Sequence, residues 1–140
     1  MRKMRRRCLM METFLCFESK GAFFLIPLKL VRHIVQGNAG QEKTIVFEGG
    51  EAEIYSVGAF WGDSREQEYA VLLDAEDSLP AILADRVAGV FEVPDTRIFK
   101  LPEDVTGEKN DFLTQAVYLD SSGCWAFVMD IERFLNKERD

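Results

Sequence analysis

The sequence predicts a mainly β protein, built as small barrels or a sandwich. Three observations predict it. Short apolar runs rich in β-branched and aromatic residues recur at 13–18, 22–26, 70–73, 81–93, 115–119 and 124–129. Tight-turn residues separate several of them: Ser19-Lys20-Gly21, Gly49-Gly50 and Asp120-Ser121-Ser122-Gly123. The segments that read as helix are short and few. Dense short strands closed by tight turns are the pattern of small closed or two-layered sheets.

In chain order, residues 13–18 and 22–26 predict a hairpin, with Lys20-Gly21 supplying the positive backbone angles of its turn. Pro27 stands where proline opens a helix. Leu30, Val31, Ile34 and Val35 then share one face at helical spacing, and Gly37 ends the segment, so a helix is expected over 27–36. A polar loop, 38–43, leads to a β-prone run at 44–47 and the Gly49-Gly50 turn. Residues 51–57 alternate, with Ala52, Ile54 and Ser56 on one face, as in a half-exposed strand. Ser56 is placed to cap one helical turn over 57–61. The charged stretch 62–67 reads as a seam between subdomains.

The second half is richer in strands. The run AILADRVAGVFEV, 81–93, is read as one strand, bent by a bulge at Gly89 of the kind that lets a small sheet curl. A polar loop surrounds Gly107. Asp120-Ser121-Ser122-Gly123 closes a hairpin between 115–119 and 124–129. Asp130 then caps a terminal helix whose Ile131, Phe134 and Leu135 face one way. Val87, Val90, Phe91, Val117, Leu119, Phe127 and Met129 are the expected core of this half.

Composition narrows the function. A chain of 140 residues with 47% hydrophobic and 29% charged residues is a globular protein of one domain, or of two small subdomains sharing a core. Its net charge of −7 repels nucleic acid, and only the N-terminus is basic. Met1 to Met11 resemble the charged start of a signal peptide. The apolar run that follows is too short, and Glu12 and Glu18 interrupt it. Residues 1–12 are therefore read as a basic tail, or as sequence upstream of a start at Met10 or Met11, and 13–136 as one domain. No stretch approaches the roughly 20 apolar residues of a membrane span, so no integral membrane segment is expected. Cys8, Cys16 and Cys124 are odd in number and form no Cys-x-x-Cys pair, which fits reduced thiols in the cytoplasm.

Chemistry is hard to find. The one histidine, His33, falls beside Arg32 on the polar side of the expected helix, away from any cysteine or carboxylate at metal-ligand spacing. Gly62-Asp63-Ser64 resembles the block of one esterase class, but no histidine follows Ser64 to serve as its base. Gly37-Asn38-Ala39-Gly40 lacks the lysine of a phosphate loop, and Gly49-Gly50 lies between strands instead of before a helix. No enzyme activity, metal or cofactor is expected. Phe60 and Trp61, side by side on one turn, are candidate anchors for a protein partner.

The order of these segments resembles the CheW-like domain, the coupling module of bacterial chemotaxis. Phe24, Ile26, Pro27, Val31 and Ile34 stand in the places of its opening strand, Ile-Pro joint and following segment. Ala84-Asp85-Arg86-Val87 matches its Val-Asp-x-Val strand. Ile98 to Pro102 matches its Ile-x-x-Leu-Pro step. Phe127-Val128-Met129-Asp130, running into Phe134-Leu135, matches its closing hairpin and helix. The resemblance spans roughly residues 14–135. It implies two small five-stranded, SH3-like β-barrel subdomains sharing a core.

It also implies a non-enzymatic signalling adaptor in the cytoplasm, bridging a chemoreceptor-like protein and a histidine-kinase regulatory domain. An adaptor for another pathway, such as surface motility or control of gene expression, and a barrel binding a small molecule are the alternatives. The partner-binding residues it implies are Phe47, Glu48, Ile54, Phe60, Trp61, Asp85 and Val87. The family's central Asn-Leu-Arg-Gly segment falls on Val46-Phe47-Glu48-Gly49. Its glycine and apolar positions persist, while Glu48 reverses the charge of the arginine.

Overall fold

In the computed structural model, residues 10–19, 21–36, 44–47, 50–56, 69–74, 80–102 and 111–139 are described, with 44–47, 50–56 and 137–139 as backbone alone. Eleven strands and one α-helix are present among them. The strands are β1 (Met11–Ser19), β2 (Ala22–Pro27), β3 (Val31–Gln36), β4 (Thr44–Phe47), β5 (Gly50–Ser56), β6 (Tyr69–Leu73), β7 (Pro80–Ala84), β8 (Arg86–Pro94), β9 (Ile98–Lys100), β10 (Leu113–Leu119) and β11 (Cys124–Met129). The helix α1 spans Ile131–Arg139. The protein is mainly β, as its sequence predicts.

The strands form two sheets. One has six strands, one more than the five expected, in the order β8-β1-β2-β11-β10-β9. The other has five, in the order β3-β6-β7-β5-β4. Each contains one parallel pairing, β2 with β11 and β5 with β7. The first of these joins the N-terminal hairpin to the C-terminal one. Sheet membership therefore changes along the chain at Leu28–Leu30 and again at Asp85, while the seam expected at 62–67 lies outside the described residues.

Two apolar cores follow from the alternation of strand faces. One face of the six-stranded sheet carries Phe14, Cys16, Leu25, Val93, Val117, Leu119, Ala126 and Val128, all buried together on the sheet's own inner side. The other face carries Leu15, Phe17, Phe24, Ile26 and Met129. These pack with Val71, Leu73, Ile82 and Ala84 of the five-stranded sheet and with Ile131, Phe134 and Leu135 of α1. This second core is shared between the sheets, and an aromatic row runs through it. Phe17 stacks on Phe24 at 5.6 Å between ring centroids, and Phe24 meets Phe127 at 6.5 Å.

The helix expected over 27–36 is absent. A single 3-10 turn, Leu28–Leu30, follows Pro27, and the rest is strand β3. The cause is a bulge. Val31 pairs with Leu73 and His33 with Leu72, so Arg32 is an extra residue in β3. That insertion puts Val31 and Ile34, three apart in sequence, on the same side of the sheet. Three-residue spacing of apolar side chains is what reads as helical in the sequence. His33 is exposed, on a strand instead of a helix.

The run 81–93 is two strands in two sheets. β7 ends at Ala84, the chain bends at Asp85, and β8 begins at Arg86. β7 is buried throughout, whereas β8 alternates between exposed and half-buried as far as Glu92 and is buried only at Val93. The expected bulge is present. Cys16 pairs with Gly89 and Phe17 with Val87, leaving Ala88 extra. Gly89 has φ 134°, a backbone angle that side chains disfavour. Val90 is 54% exposed, not core. It lies on an edge strand opposite Leu15, on the face whose cover comes from the second sheet. Val87, Phe91 and Phe127 are half-buried, while Val117, Leu119 and Met129 are buried as expected.

The terminal helix forms as read. The Arg133 amide donates to Asp130 Oδ1 at 3.2 Å, the side-chain cap that the first turn of a helix needs. Ile131, Phe134 and Leu135 are buried, and Phe134 packs edge-on against Phe112 at 5.0 Å.

Candidate interaction surfaces

The described residues among the implied partner contacts are spread along the five-stranded sheet and its exit. Phe47 ends β4, paired with Gly50 across the turn. Ile54 lies on β5, in register with Ala81 of β7. Asp85 follows the end of β7, beyond Ser56, which pairs with Leu83. At about 3.3 Å per residue, the Gly50 and Ser56 ends of β5 stand roughly 20 Å apart. Phe47 and Asp85 therefore mark opposite ends of the β5–β7 pair and not one compact site. Glu48, Phe60, Trp61 and Ser64 lie outside the described residues.

Asp85 and Val87 have structural work. The Asp85 amide donates to the Glu18 carbonyl at 2.8 Å where the chain leaves one sheet for the other. Val87 lies opposite Phe17 and packs against the shared core. Arg86, between them, reaches Glu18 Oε1 at 2.6 Å.

Among the described residues, no group of three or more His, Cys, Asp or Glu side chains converges. Cys16 is fully buried on the inner face of the six-stranded sheet. Burial pushes its thiol up to about 12, with smaller contributions from Cys124 and Glu18. The thiolate is the reactive form of cysteine, so Cys16 is chemically quiet near neutral pH. Among the described residues, no helix is long and apolar enough to cross a membrane.

A surface the sequence reading missed lies on the six-stranded sheet. Phe99, Tyr118 and Trp125 are large and exposed, and Trp125 is in contact with both of the others. Trp125 meets Tyr118 at 5.4 Å and Phe99 at 6.0 Å, both edge-to-face. One part of this was legible. Counting outward from the four-residue turn pairs Leu119 with Cys124 and Tyr118 with Trp125, as the structure has it. Phe99 was not, because its place depends on β9 pairing with β10 across a separate loop.

Comparison with known structures accounts for this arrangement of two sheets and a shared core. A crystal structure of the scaffolding protein TtCheW from Thermoanaerobacter tengcongensis superimposes with a TM-score of 0.70, over 86% of this chain and 89% of that one. The fold is CheW-like. Sequence identity is only 13%, so the likeness is one of architecture. A scan of family models gave no match, and neither did a search of curated proteins. The CheW-like fold explains why the first and last hairpins share a sheet: the segment between Leu28 and Ala84 supplies the second sheet, set between strands of the first.

Proposed function

We propose that this chain is a non-enzymatic signalling adaptor of the cytoplasm, which bridges a chemoreceptor-like protein and a histidine-kinase regulatory domain. The observation that carries this reading is the CheW-like fold spanning most of the chain, shared with a protein described as a scaffold. An adaptor needs no chemistry. It needs two surfaces held in fixed relation, each of the modest area typical of transient contacts. Two sheets packed on one shared core provide such a frame. The β4–β5 edge with Glu48, Phe60 and Trp61 is the first contact face in this reading, and the Asp85–Val87 joint the second.

Glu48 sets the partner's chemistry. At the place of the family's arginine it would repel a carboxylate across a desolvated interface by up to several kcal/mol. The native partner should therefore present Lys or Arg there. Recovering partners from native lysate and then titrating the purified receptor or kinase fragment tests the reading. Saturable binding to either fragment, weakened by Glu48→Arg and by added salt, supports it. A co-purifying small molecule with no protein partner points to a ligand-binding barrel and overturns it.

A further inference from the structure

We propose that the aromatic cluster Phe99, Tyr118 and Trp125, with the Asp120 carboxylate at its rim, binds an arginine side chain of a protein partner. Its test does not depend on the faces assigned to receptor and kinase. The cluster continues the buried aromatic row outward. Phe99 pairs with Ala116, Ala116 with Phe127 and Phe127 with Phe24, so all four lie on one face of the sheet. The inner end of this row is core. At the outer end Phe99 is 52%, Trp125 48% and Tyr118 38% exposed.

A cross-strand pair such as Tyr118 with Trp125 does stabilise its hairpin. That accounts for two rings and leaves the third, brought from another strand, unexplained. Exposed aromatic clusters mark contact sites, and tryptophan, tyrosine and arginine dominate binding hot spots.

Electrostatics selects the occupant. Ring faces attract cations, arginine more often than lysine, because its flat guanidinium both stacks and donates in a fork. Asp120, in the turn two residues after Tyr118, provides a carboxylate that Arg97 engages through one oxygen only. Arg97 bonds its Oδ2 at 3.0 Å, so a guanidinium already fits there, and Oδ1 accepts no hydrogen bond among the described residues. The carboxylate side chain is 70% exposed. A second copy of this chain fits poorly, since pairing two such faces would oppose two Asp120 groups on molecules each carrying −7. The same charge disfavours nucleic acid.

The test follows the two tryptophan indole N–H signals of the full-length, 15N-labelled protein by NMR, assigned with Trp125→Phe. The probe is the peptide acetyl-Leu-Arg-Leu-amide, with the uncharged citrulline peptide beside it. The expected result is a saturable shift of the Trp125 signal. Citrulline should bind about tenfold more weakly, and Asp120→Asn should weaken the arginine peptide severalfold. A Trp125 signal that does not move overturns the proposal, leaving the cluster as a hairpin staple. Equal binding of both peptides, or an unchanged affinity in Asp120→Asn, also overturns it, since the site would then read only apolar surface. Concentration-dependent broadening without peptide would assign the face to self-association instead.

Discussion

Arg86 and Glu18 meet at 2.6 Å where the chain passes from the five-stranded sheet to the six-stranded one, directly beside the Asp85 amide bonded to the Glu18 carbonyl. The other crossing is built alike. The Asp74 amide donates to the Leu30 carbonyl at 2.8 Å, and Arg32 reaches Asp74 Oδ1 at 3.0 Å. At each crossing a backbone hydrogen bond and an arginine–carboxylate pair act together. Each set of bonds lies within one sheet, between β3 and β6 or between β1 and β8, and fastens the strand by which the chain enters or leaves that sheet.

The two components should not contribute equally. The Arg86 and Glu18 side chains are 65% and 25% exposed, so their attraction is screened by water. Glu18→Gln should cost no more than about 1 kcal/mol. Asp85→Pro removes the amide donor and leaves the Glu18 carbonyl without that hydrogen bond, which should cost about 1–3 kcal/mol. Denaturant midpoints of the two variants give the order. A larger loss for Glu18→Gln would make the ion pair the principal fastener.

The aromatic row should lose stability in proportion to burial. Phe24 is fully buried between Phe17 and Phe127, so Phe24→Ala should cost about 3–5 kcal/mol. Phe127 is half-buried, and its replacement by alanine should cost clearly less. Equilibrium unfolding in urea compares them. Equal losses would mean that Phe127 packs as core in solution.

Cys16 should make the fold sensitive to alkali. Burial holds its thiol up at about 12 in the folded protein, against an ordinary value of 9.0. Between these values the unfolded chain ionises and the folded one does not, so the unfolded state binds fewer protons. Stability therefore falls as pH rises through this window, by up to about 1.4 kcal/mol per pH unit from this group. Below pH 9 the effect vanishes. Thermal melts of wild type and Cys16→Ala across pH 8 to 11 should diverge only above pH 9. Parallel curves throughout would remove Cys16 as the cause.

The helix cap is a local test. Asp130→Ala removes the acceptor for the Arg133 amide and should cost about 1 kcal/mol, whereas Asp130→Asn, which keeps an acceptor oxygen, should cost less. The two melting temperatures decide it. If the order reversed, the pairing of Asp130 with Arg133 at 3.8 Å would matter more than the cap.

The local features were legible from neighbouring residues alone: the N-terminal hairpin, the four-residue turn before Cys124, the Gly89 bulge, the Asp130 cap and the apolar face of α1. Each is set by residues a few positions apart, where turn chemistry and side-chain periodicity act directly. The order of these segments also sufficed to predict the CheW-like architecture. Which strands share a sheet was settled by long-range packing, since pairing β2 with β11 joins segments about a hundred positions apart. It turned 31–36 from helix to strand, because a bulge that mimics helical spacing is visible only once β6 lies alongside. It split 81–93 at Asp85, and it left Val90 outside, because burial depends on what covers a face and not on the residue that occupies it. The exposed aromatic cluster has the same origin: Phe99 reaches Trp125 only because β9 adds to the edge of β10.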